Sequence, residues 1–212
     1  SRGLGDVYKR QMMQDPREEH EYYRLYKVDF SQTVVGGKDM VFFNIPADDM
    51  KNITENMLKD GLPVWFACNV GTEFDDDQGL WDNDLYDLAG FYRVPIRNPK
   101  LSKADRIRWG NPMGDHAMLF TGVDYDRPER PRRWRVENSW GDYGGDNGYY
   151  TMNDNWFDEN VFEIVADPSY LTDQMKKGLE KEPILLPAWD PLWTKCGGKR
   201  WRRWNRRRKL KV

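Results

Sequence analysis

Between Gly114 and Met152 the sequence leaves the chain little choice of fold. His116 to Tyr125 reads as a strand, Arg133 to Glu137 alternates around Trp134 and Val136, and Tyr149 to Met152 reads as a strand again. Arg127-Pro128-Glu129-Arg130-Pro131 and the glycine-rich Gly141 to Gly148 separate them as turns. Val161 to Val165 follows with the same character, so the spacing predicts an antiparallel meander that this last strand closes. Gly114-Asp115 leads the chain into the first strand, which places His116 at its mouth, and Asn138 ends the second strand. Neighbouring antiparallel strands set such ends side by side. An amide oxygen that accepts from one imidazole nitrogen fixes the tautomer and leaves the other nitrogen for a nucleophile. Trp140 stands where it would cover that hydrogen bond and keep water off it. By residue type alone, a histidine is more often a core or turn residue than a catalytic one; the paired strand ends argue for the second role.

Upstream, Asp15 to Tyr26 is charged and tyrosine-rich and reads as a short helix or loop, with His20 exposed. Val28 to Val35 alternates weakly and ends in a turn at Gly36-Gly37, and Met40 to Ile45 is a strand candidate. The helix after it is well marked: Pro46 near its start, Asp48 and Asp49 in the first turn, Met50, Ile53, Met57 and Leu58 on one face, Lys59 in the last turn and Gly61 beyond. Leu62 to Val70 is a buried strand, Gly71 to Asp87 an acidic loop, and Leu101 to Trp109 a short helix capped by Ser102. Asn153 to Asn160 is a turn or short helix, Leu171 to Glu182 a helix capped by Thr172, and Pro183 and Pro187 bound an extended segment.

Charge divides the chain. Lys195 to Val212 holds ten Lys or Arg and no acid, which leaves the first 194 residues with 23 basic against 35 acidic side chains. The two cysteines, Cys68 and Cys196, make no disulfide framework, which favours a reducing compartment, and neither a secretory signal nor a membrane span is visible; the expectation is a cytoplasmic protein. No metal or cofactor is expected. Asp75-Asp76-Asp77 fails the calcium-loop template, with Leu80 and Tyr86 at the positions that need Gly and Glu, and Gly144-Gly145 lacks the Lys-Ser/Thr of a phosphate loop.

Asp115-His116-Ala117-Met118, then Trp134-Arg135-Val136-Glu137-Asn138-Ser139-Trp140-Gly141, then Gly148-Tyr149, resembles the C-terminal half of papain-type cysteine peptidases, specifically the bleomycin hydrolase and aminopeptidase C branch. Val34-Val35-Gly36-Gly37, Pro63-Val64-Trp65-Phe66, Asn69-Val70-Gly71, Leu85-Tyr86-Asp87, Lys103-Ala104-Asp105-Arg106 and Pro183 to Pro191 agree with it, so the resemblance runs from about residue 22 to 191. It implies an α+β fold, the C-terminal, mostly antiparallel β lobe of a papain-like peptidase with flanking helices. It also implies thiol aminopeptidase activity on peptide substrates, His116 as general base and acid, Asn138 as its orienter, and a homo-oligomer, a hexamer in that branch.

The nucleophile is the departure. That family carries it in a Gln…Gly-x-Cys-Trp segment at a helix start, and none occurs here. Cys68 precedes His116 by only 48 residues, against roughly 130–150 in papain relatives, and sits inside a strand-like run. The expectation is a C-terminal fragment that holds the His/Asn half of the site and is inactive alone. Residues 1–11 read as a non-native or disordered leader, 12–191 as the lobe and 192–212 as a disordered basic tail. In the resembling branch the chain ends soon after Pro-Ala-Trp-Asp-Pro, and its terminal carboxylate pairs with the substrate's amino group. The tail here reads as a reading-frame error, an arm for nucleic acid, or one for an anionic membrane surface. An acidic, non-enzymatic domain with a nucleic-acid-binding tail is the rival function.

Overall fold

The computed structural model describes residues 10–191, apart from 33, 38–39, 72, 94–100, 111–113 and 128–129. In chain order the elements are β1 (Arg10–Met13), β2 (Arg24–Val28), β3 (Val41–Asn44), α1 (Ala47–Lys59), β4 (Val64–Cys68), β5 (Phe74–Asp75), β6 (Leu80–Trp81), α2 (Leu88–Tyr92) and α3 (Lys103–Arg108). There follow β7 (His116–Arg127), β8 (Arg130–Glu137), β9 (Tyr149–Asn153), α4 (Asp154–Asn160), β10 (Val161–Ala166), α5 (Asp173–Leu179) and β11 (Ile184–Leu186).

The strands form one sheet in the order β11-β2-β3-β1-β10-β4-β7-β8-β9-β6-β5. The pairs β1–β3, β11–β2 and β6–β9 are parallel and the others antiparallel. This is the expected α+β fold with a mostly antiparallel sheet. The two faces of the sheet bury separate cores. Met50, Ile53 and Met57 of α1 and Trp156 and Phe157 of α4 join Phe66, Phe120 and Trp134 on one face. The Phe66 and Phe120 rings stack at 3.8 Å between centroids, and Phe120 stacks on Phe157 at 5.4 Å. On the other face Ile107 of α3 packs with Met13, Tyr26, Phe42, Phe162 and Leu186. The two capped helices are as expected: Ser102 accepts from the Asp105 N–H and Thr172 from the Met175 N–H.

Four expectations need correction. The meander holds for β7, β8 and β9, but β10 does not close it. The chain crosses a core face through α4, whose Trp156 and Phe157 are buried, and β10 inserts between β4 and β1. The strand expected over 28–35 lies earlier, at Arg24–Val28, and ends where Phe30 turns to φ 54. Arg10 and Gln11, assigned to the leader, begin β1 inside the sheet, where they pair with Ala166 and Val165. Their side chains stay exposed while Met12 and Met13 bury on opposite faces, so no single-face period marks the strand. His20 is 6% exposed rather than at the surface. Its Nδ1 lies 2.6 Å from Asp15 Oδ2, and Arg17 bridges Asp15 at 2.7 Å and Asp190 at 2.9 Å. Buried charge is tolerated there because each member has an opposite partner. The basic segment 192–212, with its nucleic-acid and membrane readings, and Cys196 lie outside the described residues. Among those residues no helix is long and apolar enough to cross a membrane.

Candidate active site

His116 is the first residue of β7 and Asn138 the first after β8. Two hydrogen bonds strap the entry of β7 to the end of β4: the Asp115 N–H donates to Cys68 O and the Val70 N–H to Asp115 Oδ1, both at 3.0 Å. β7 and β8 pair Leu119 with Glu137, so the two strand ends carry the histidine and the asparagine toward one another. Asn138 is 7% exposed, and its N–H donates to Gly148 O at 3.0 Å, which ties the far end of the glycine-rich connection back beneath it.

Asn138 Oδ1 meets His116 Nε2 at 2.8 Å and also accepts from the Ser139 N–H at 2.7 Å. A backbone N–H only donates, so the amide atom it meets is the oxygen. The imidazole nitrogen facing that same oxygen must then carry a hydrogen. Nε2–H is the tautomer this geometry selects, and Nδ1 is left with a lone pair able to take a thiol proton. The Trp140 ring lies 4.8 Å from the imidazole, with its plane tilted by 38°, and is 41% exposed. The Ser139 N–H and the Asp115 carboxylate are contributors that residue-type reasoning passed over. The first acts through its backbone, and the second announces itself only by following Gly114.

Cys68 is brought opposite His116 by the β4–β7 register. The thiol is nevertheless fully buried, and burial, with the Asp115 charge adding to it, pushes its pKa well above the ordinary value. That is the reverse of an activated thiolate. A cavity of about 370 Å³ over β7, β8 and β9, lined by residues including Gly122, Arg133, Arg135, Tyr149 and Thr151, includes neither His116 nor Asn138. Among the described residues, no three His, Cys, Asp or Glu side chains group in a way that would hold a metal ion.

The chain is similar to known proteins over most of its length. A family model described as "Peptidase C1-like family" matches residues 8–193. Bleomycin hydrolase of Homo sapiens is 41% identical over 183 residues, covering 85% of this chain and 40% of that protein. Aminopeptidase G of Lactobacillus delbrueckii subsp. lactis is 40% identical over 174 residues, 82% of this chain and 39% of the relative. The crystal structure of pepw from Lactobacillus rhamnosis superposes with a TM-score of 0.79 at 32% identity, covering 86% of this chain and 41% of the other. The chain thus spans about two-fifths of the length of the relatives it matches.

Proposed function

The chain belongs to the Peptidase C1-like family, and we propose that it supplies the histidine–asparagine half of a cysteine aminopeptidase site. The observation that carries this is the 2.8 Å bond from His116 Nε2 to an amide oxygen whose identity Ser139 fixes. A thiol outside these 212 residues would give its proton to His116 Nδ1. Its thiolate would attack the carbonyl carbon of the first peptide bond, and the resulting imidazolium would protonate the leaving amine. His116 would then take a proton from water, which hydrolyses the acyl-enzyme and frees the thiol. Asn138 holds the ring in register throughout, and Trp140 shields the Nε2 bond.

Three features support the nucleophile's lying elsewhere: the buried, poorly acidic Cys68, the absence of a Gln…Gly-x-Cys-Trp segment, and the two-fifths coverage of relatives named bleomycin hydrolase and aminopeptidase. Peptides with a free amino terminus are the proposed substrates, in the cytoplasm. A homo-oligomer rests on the resemblance alone.

The test is turnover of an aminoacyl fluorogenic amide. The purified 212-residue chain should show no thiol-dependent activity. A longer product of the same gene bearing a Gly-x-Cys-Trp segment should be active, and His116→Ala should abolish that activity. Thiol-dependent turnover by the 212 residues alone would overturn the assignment.

A further inference from the structure

Asn147-Gly148 is the one Asn-Gly pair in the sequence. It forms the two-residue tip of a hairpin: the Asp146 N–H donates to Tyr149 O at 2.9 Å and the Tyr149 N–H to Asp146 O at 3.0 Å. Asn147 has φ 52 and Gly148 φ 85. Positive φ at both central positions is the type I′ turn, for which Asn-Gly is a favoured pair. The same pair sets a side-chain amide next to a backbone nitrogen that no Cβ shields. Asn147 is exposed, whereas Gly148 is buried with its Cβ position 2.1 Å from Gly141 O. The Gly148 carbonyl accepts the Asn138 N–H at 3.0 Å. The exposed tip and the asparagine of the half-site are thus joined through one residue.

We propose that Asn147 is a self-modification site, and that its isoaspartate form releases Asn138 from Gly148. The Gly148 nitrogen attacks Asn147 Cγ and a C–N bond forms. The Cγ–Nδ2 bond breaks, and Nδ2 leaves as ammonia with the proton that the Gly148 nitrogen gave up. Water then opens the cyclic imide at one of its two carbonyls. Opening at the side-chain carbonyl gives aspartate. Opening at the main-chain carbonyl gives isoaspartate, whose backbone runs through the former side chain and is one carbon longer. No electron changes hands, and water is the only co-reactant. The Gly148 N–H donates to Gly144 O at 3.1 Å, so the attack waits on the opening of that bond and the folded turn sets its pace. Asn138, which precedes Ser139, is the contrast: it is 7% exposed and its Oδ1 is held by both His116 and Ser139. An extra backbone carbon finds no slack where Asp146 pairs with Tyr149 across a two-residue tip and Gly148 lies against Gly141 O. Gly148 O therefore shifts, and the Asn138 N–H loses its acceptor. The modification stands on the turn alone; its bearing on catalysis rests on reading His116 and Asn138 as a half-site.

The test is to hold the folded 212-residue chain in warm, mildly alkaline buffer, map its peptides by mass and detect isoaspartate by enzymatic methylation. Amide loss should appear at Asn147, with isoaspartate among the products, and not at Asn138. Asn147→Gly, which suits the same turn and has no amide to lose, should leave that peptide's mass unchanged. In the isoaspartate form the Asn138 N–H should exchange with deuterium about five- to ten-fold faster, the loss of one hydrogen bond. The Gln14 N–H, which donates to Phe162 O at 2.8 Å elsewhere in the sheet, should exchange as before and so reports that the fold is intact. Asn147 left intact in the folded chain, after an incubation that removes its amide in urea, overturns the site. Isoaspartate at Asn147 with unchanged exchange at Asn138 overturns the coupling. Neither readout is turnover, so an inactive full-length enzyme would sink the peptidase reading and leave this one standing.

Discussion

His116 Nε2 and Asn138 Oδ1 lie 2.8 Å apart across the ends of two adjacent strands, and the Ser139 N–H shares the same oxygen. Two partners at one oxygen, His116 Nε2 and the Ser139 N–H, settle a proton position that neither side chain could settle alone. In a full-length enzyme carrying the nucleophile, Asn138→Ala should lower kcat by about 10²–10⁴-fold with KM little changed, because the ring loses its orientation and tautomer rather than its contact with substrate. Steady-state kinetics on the folded variant measure this; a KM effect with normal kcat would contradict it.

Cys68 should be silent to thiol reagents in the native chain and react only on unfolding, since its side chain is fully buried and its thiol is held well above the ordinary range. Cys68→Ser should cost about 1–3 kcal/mol, a buried hydroxyl replacing a small hydrophobe, and should leave the full-length enzyme's turnover within two-fold. Denaturation midpoints and native thiol titration check both.

Arg17 bridges Asp15 and Asp190 with 4% of its side chain exposed, joining the start of the chain to the segment after β11. Arg17→Met removes the guanidinium that the two buried carboxylates share and leaves His20 as the cation beside them, and should cost about 3–5 kcal/mol. For Asp15, burial alone would raise the carboxyl, but hydrogen bonds from His20 and Arg17 outweigh it and hold it below the ordinary value. A depressed folded value means the stabilisation is present above about pH 4 and is lost as pH falls below that. Acid unfolding should therefore begin below about pH 4 in the parent chain, and Asp15→Asn should flatten that limb of the curve.

Glu163 is the opposite case. Burial pushes its carboxyl up to about 7, and its Oε1 is buried without a hydrogen-bond partner. The folded state then binds more protons than the unfolded between about pH 4.3 and the folded value, so this group's contribution falls as pH rises through that window. Glu163→Gln should stabilise the chain by about 1–3 kcal/mol at pH 8 and by almost nothing at pH 4. Urea midpoints at the two pH values give the difference; equal shifts at both would refute the assignment.

Gly148 has φ 85, and a Cβ there would stand 2.1 Å from Gly141 O. Its own carbonyl receives the Asn138 N–H. Gly148→Ala should cost more than 2 kcal/mol, roughly the left-handed penalty plus a backbone clash, and should disturb the His116 resonance. Gly61, at φ 76 with nothing within 4 Å of its Cβ position, is the control: alanine there should cost only about 1–2 kcal/mol. Equal costs at the two positions would mean the connection around Asn138 yields freely.

Much of this was legible in the residues because it is local. The apolar face and end signals of α1, the caps at Ser102 and Thr172, and the strand ends at His116 and Asn138 all depend on neighbours within a few positions. What was misread depends on distant partners. His20 sits among charges and looks exposed, yet its buried neighbours include Asp190, 170 residues away along the chain. The 10–13 strand has no period because it lies between β10 and β3 and buries Met12 and Met13 on opposite faces. β10 resembles the next strand of a meander, since alternation records which residues are buried and not which strand lies alongside.

The sequence by itself determined which side chains can do chemistry here: an imidazole and an amide at the ends of two strands, and no thiol in a helix-start setting. Only the tertiary structure decided the rest. It set Cys68 opposite His116 while burying the thiol, gave Asn138 Oδ1 a backbone donor, and joined Tyr150 of β9 to Asp76 of the segment after β5. The physical reason is that hydrogen-bond direction and desolvation belong to the packed arrangement of groups far apart in the chain, whereas residue type and local period belong to the chain itself.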